Sequence, residues 1–148
     1  MSGRLTISSP SHRVAPLLWL LLLAFGARVV GQLLVAVFHV PWLPPMEAWM
    51  SGLLPYPWLL GSQVLIILLA GKICLDFTRG AGWWVRTRPA FARGVFVVAC
   101  LYLAAMLVRL GVSFHPAAAW LGDRIPIAFH VVLASFLLVF SLWHRGRR

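Results

Sequence analysis

Four long apolar runs constrain this chain more than any other feature. They occupy residues 14–40, 58–75, 92–112 and 125–143. A helix rises about 1.5 Å per residue, so about 20 apolar residues cross the hydrocarbon core of a bilayer, and each run is near or above that length. Together they make the 148-residue chain 61% hydrophobic and only 11% charged. A soluble domain of this size cannot bury so much apolar surface. With lipid as solvent, each spanning segment must satisfy its own backbone, which selects helices. The sequence therefore predicts an all-α membrane protein. It is a four-transmembrane-helix bundle of two hairpins, forming one membrane domain over residues 14–143 between a cytoplasmic tail (1–13) and a basic tail (144–148).

The net charge of +10 is distributed by topology. Arg4 and Arg13 precede the first run. Lys72, Arg79, Arg86, Arg88 and Arg93 surround the connection between the second and third runs, and Arg145, Arg147 and Arg148 follow the fourth. The other two connections carry only Arg124. The positive-inside rule then places both termini and the middle connection in the cytoplasm, with the protein in an inner (plasma) membrane. Basic residues at the ends of apolar runs, rather than on one face, exclude nucleic acid as a partner. Cys74 and Cys100 have no CxxC spacing and fall at different predicted depths, which gives no support for a disulfide. The first run contains a small-x-small site at Ala24-Phe25-Gly26, but its apolar stretch continues to Val40, so a retained helix is expected rather than a cleaved signal peptide.

Prolines 41, 44, 45, 55 and 57 bracket a short segment, residues 46–54, which reads as a helix lying in the outer interface. The connection 113–124, with His115, Trp120 and Asp123, is its counterpart in the second hairpin. Trp42, Trp49, Trp58 and Trp120 are expected at the outer border, and Trp83, Trp84 and Trp143 at the inner one.

Polar residues inside the spans are the candidates for function. Arg28, Gln32 and His39 fall on one narrow helical face at about 100° per residue. Gln63, Arg109 and His130 can be placed around that face, Tyr102 lies two turns before Arg109, and Glu47 can reach in from the interfacial segment. All sit in the outer half of the predicted bundle. The inner half is apolar and small-residue-rich up to its basic boundary. A pore needs polar groups at every depth, so the pattern predicts a cup open to the outside. Each residue also has a purely structural reading. Arg28 can hold helices together through Gln63, backbone carbonyls or Glu47, Arg109 can snorkel, His130 can make an interhelical hydrogen bond, and Ala24, Ala27 and Gly31 can serve close packing. Arg28 is expected to point into the bundle and to bond Gln32, Gln63, Tyr102 or Glu47.

This layout resembles the DoxX-like group of small bacterial membrane proteins. The shared features are four spans, both termini inside, an outer connection with a short Pro/Leu/Gly-bearing helix, and a basic turn after the second span. The glutamate that members often carry early in the second span is absent, with Gln63 the nearest polar residue. The resemblance implies a fold and assigns no residue role.

No motif specifies a reaction, and the reading leans away from an enzyme. The expected function is an accessory or binding protein whose cup takes a small ligand, a lipid headgroup or a partner helix. The bilayer is its partner, with another membrane protein or a second copy as further candidates. No cofactor is expected. The alternative is a redox accessory protein holding haem or a quinone, for which His39 with His130 is the appealing histidine pair. A transporter subunit is disfavoured by the apolar inner half.

Overall fold

A computed structural model describes residues 11–49, 55–114 and 124–146. The fold is an all-α, four-helix membrane bundle. Its elements are α1 (Ser11–Phe38), α2 (Met46–Trp49), α3 (Tyr56–Arg79), α4 (Pro89–Val112) and α5 (Arg124–Arg145). All but α2 are long and apolar enough to cross a membrane. The long helices mostly outrun the apolar stretches that predict them, because backbone hydrogen bonding continues past the last apolar residue until a stop signal. For α3 that signal is Gly80, whose left-handed φ of 64° caps the helix and turns its N–H onto Phe77 O. α1 stops at Phe38 because His39 adopts φ 49° and Pro41 follows.

Of the interfacial segment expected over 46–54, Met46–Trp49 is helical, and residues 50–54 lie outside the described residues. So do His115, Trp120 and Asp123 of the connection between α4 and α5.

The long helices pack in the order α3, α1, α5, α4: two hairpins joined along α1 and α5. The turn α2 rests on α1 and α5. Exposed leucines and valines such as Leu20, Leu65, Val98 and Leu101 clothe the outside, as a lipid-facing surface requires. Only Ala92 and Ala99 of α4 are buried, so α4 is the most peripheral helix.

The tightest core lies in the half of the bundle nearest the α3–α4 turn, here the basic end. Leu18, Leu22, Ala70, Cys74, Phe77 and Phe140 belong to it. Phe77 anchors it, with ring centroids 4.7 Å from Trp143 and 5.8 Å from Phe140. Trp19 Nε1 donates to Thr78 Oγ1 at 3.0 Å, and Thr78 donates back to Cys74 O, which ties α1 to α3.

The basic end is not wholly apolar. Asp76 is buried, ion-paired with Lys72 one turn earlier, and accepts the Trp84 N–H at 3.4 Å. Its carboxylate fixes the turn from α3 to α4. Gly82 passes against it at φ 124°, and a Cβ there would collide with the carboxylate. His144 bridges the carbonyls of Phe140 (2.9 Å) and Trp84 (3.0 Å), fastening the end of α5 to the same turn. Gly82→Ala should therefore destabilise the protein by about 2 kcal/mol or more. Gly26→Ala, in open space on α1, should be neutral or stabilising by up to about 1 kcal/mol. Thermal denaturation of both variants in one detergent checks this, and equal melting temperatures would refute the role given to Gly82.

Candidate functional site

The polar residues within the spans meet at one level, towards the α2 end. Arg28 lies about 15 Å from the end of α1, Gln63 about 10 Å into α3, Tyr102 about 15 Å from the end of α4, and His130 about 9 Å into α5. Helix geometry alone brings them to similar depth.

Arg28 points inward and is 7% exposed. Its Nη2 donates to the main-chain carbonyl of Trp49 at 3.0 Å, and its guanidinium lies 5.5 Å from the centre of the Phe129 ring. The partner is thus a carbonyl of α2. The bond expected to Gln32, Gln63, Tyr102 or Glu47 does not form. Trp49 is itself held, its Nε1 donating to Pro44 O at 2.9 Å. Its ring lies over Gly31, where a Cβ would come within 3.0 Å of the ring edge. Trp49 was expected at the outer border, but it is 7% exposed and seals the site from above. Of the three small residues expected to pack closely, Gly31 does so and Ala27 is exposed.

Gln32 and Gln63 join α1 to α3. Gln63 Nε2 donates to Gln32 Oε1 at 3.2 Å, and both residues are buried. A single bond leaves Gln32 Nε2 and Gln63 Oε1 without partners, and Arg28 Nε is likewise buried and unpartnered. On the other side, the Tyr102 hydroxyl bonds His130 Nδ1 and joins α4 to α5.

Between these pairs lies a cavity of about 200 Å³, bordered by Arg28, Trp49, Ser62, Gln63, Phe129 and His130. It is a cup with one cation, one amide and one imidazole on otherwise apolar walls. Ser62 donates to Leu59 O at 2.7 Å, so its hydroxyl is engaged. Among the described residues that border the cup there is no carboxylate. Among the described residues no three His, Cys, Asp or Glu side chains group closely enough to hold a metal ion.

The structure divides the sequence-predicted set. Arg28, Gln63 and His130 line the cup, with Gln32 and Tyr102 bonded behind them. Arg109 is half-buried and, like Arg28, within electrostatic range of His130. His39 and Glu47 are exposed and border a different cavity, of about 530 Å³, among Pro41, Pro44 and Pro45 at the α2 end. Two contributors went unseen in the sequence: the Trp49 carbonyl and the Phe129 ring. Gly31, one turn from Arg28, was the available signal for a large ring at that place.

Protein-family models, curated proteins and solved structures contain no match to this chain.

The Gln32–Gln63 pair is open to a direct test. Gln32→Leu or Gln63→Leu alone leaves a buried amide unbonded, which costs about 1–3 kcal/mol. The double substitution removes both amides. It should be more stable than the sum of the single losses, by about 1 kcal/mol. Strict additivity in a double-mutant cycle would refute the bond.

Proposed function

We propose that this protein is an inner-membrane binding protein whose cup takes an anionic or strongly hydrogen-bond-accepting headgroup. The observation that carries this reading is the cup itself. Arg28 and Gln63, each more than nine-tenths buried, border a cavity of about 200 Å³, and each keeps a polar atom without a hydrogen-bond partner, Nε and Oε1, closed off behind its wall. A buried donor without an acceptor costs about 1–3 kcal/mol, more on a charged group, so a ligand towards which Arg28 turns its Nε–H recovers that energy. Gln63 Oε1 accepts only, and it favours a head that also carries an O–H. A protonated phosphate monoester or a hydroxy acid supplies both.

The same acceptor chemistry would serve a quinone carbonyl. Haem through His39 and His130 has less to recommend it, because the two border different cavities. The likeness to the DoxX-like group rests on layout and lends no residue a role. The arginine-rich turn supports a cytoplasmic basic end, so the cup would open away from the cytoplasm.

Butyl phosphate, whose tail is too short to matter, probes the cup. It should raise the melting temperature of the purified protein. Arg28→Leu should fold and lose that response, because replacing a buried charge by an apolar side chain leaves no unpaired ion behind. Arg28→Lys should bind at least about tenfold more weakly, since it lacks the planar fork. An undiminished response in Arg28→Leu would overturn the reading. Orientation is tested separately. Reporter fusions after Leu54 and Gly122 should read external, and those after Gly82 and Arg148 internal. The reverse pattern would turn the cup towards the cytoplasm.

A further inference from the structure

At the basic end the bundle is open on one side. α3 and α4 occupy the two ends of the packing order, and between them lies an apolar gap of about 300 Å³. Leu69, Ala70, Ile73, Val95, Leu137 and Phe140 are among its walls, and no charged side chain borders it. The gap runs about 10 Å along α3 and α5, within the depth of one bilayer leaflet, about 15 Å. Towards the cup it closes to a void of about 10 Å³, so the two are separate sites.

At its other end the gap meets a surface pocket of about 440 Å³. That pocket is lined by Trp83, Arg86, Thr87, Arg88 and Phe91, and Phe91 borders both spaces. Arg86 and Arg88 are exposed. The one described carboxylate at this end, Asp76, is already engaged by Lys72 and the Trp84 N–H. The buried Thr87 hydroxyl has no hydrogen-bond partner. A basic pocket thus adjoins, at Phe91, an apolar slot of leaflet depth.

We infer that this juxtaposition is a binding site for one anionic phospholipid of the leaflet at the basic end. Its phosphate lies between Arg86 and Arg88, and one acyl chain fills the gap between α3 and α4. Charge selects the head, since each arginine near an anionic headgroup contributes attraction that a zwitterion lacks. Shape selects the chain, since an empty apolar gap forfeits dispersion contacts on both walls. The site is independent of the cup and makes no use of Arg28.

Native mass spectrometry from detergent with added dioleoyl phosphatidylglycerol or dioleoyl phosphatidylcholine tests the proposal, because the tails are identical. One phosphatidylglycerol should be retained per protein, in preference to phosphatidylcholine. The double variant Arg86→Gln, Arg88→Gln should lower that retention about tenfold or more. Val95→Trp, which fills the gap, should abolish it with both arginines intact. Equal retention of the two lipids, or undiminished retention in either variant, overturns the site. A phosphatidylglycerol carrying a mid-chain diazirine keeps the test open should Val95→Trp fail to fold. In the unmodified protein it should label Leu69, Ile73 or Leu137. Labelling spread over the outward residues Val97, Leu101 and Val108 of α4 would refute the chain position.

Discussion

A guanidinium inside an apolar span must be bonded, and the shape of the α2 end follows from how Arg28 meets that demand. Left bare at that depth it would cost several kcal/mol. Its main partner is a peptide carbonyl, and the nearest free ones belong to the chain that leaves the membrane after α1. The bond to Trp49 O draws that chain back over the bundle, and α2 comes to rest on both α1 and α5. The indole then closes the space above Gly31. One bond does not saturate a guanidinium, and the remainder faces the cup. A fully bonded Arg28 would have been a fastening and nothing more.

The architecture was legible because its causes are periodic. Span length, the arginine-rich turn and the proline-bounded connections are all written in residue order, and the four helices follow. The interior pairs were partly legible for the same reason: residues at similar distances from helix ends meet when the helices pack, as Gln32 meets Gln63 and Tyr102 meets His130. The failures have local causes. His39 shares the face of Arg28 only if the helix continues through it. The left-handed turn at His39 ends the helix and carries the imidazole outside. Glu47 and Trp49 are two residues apart on one turn, so they point in nearly opposite directions. With the indole inside, the carboxylate is out. A main-chain carbonyl has no letter of its own, so a backbone partner for Arg28 could be expected in kind but not assigned to Trp49.

The basic end shows the opposite use of polarity. Asp76 is spent entirely on structure, bonding Lys72 and the Trp84 amide while Gly82 presses against it. His144 locks α5 to the same turn. This end therefore fixes the spacing of α3, α4 and α5, although α3 and α4 do not pack against each other. A turn that holds two helices at a fixed distance without closing the space between them leaves a slot for something else.

That arrangement makes α3 a lever. It packs along α1 and, at the basic end, sets Phe77 against α5, and its two halves face different spaces: Ser62 and Gln63 the cup, Leu69 and Ile73 the gap, with Ile66 bordering both. Clamped at the basic end by Asp76 and Phe77, α3 can swing only at its cup half. Material in the cup would be accommodated by that swing, whereas material in the gap would meet fixed walls. One helix would then serve a yielding chamber and a rigid one.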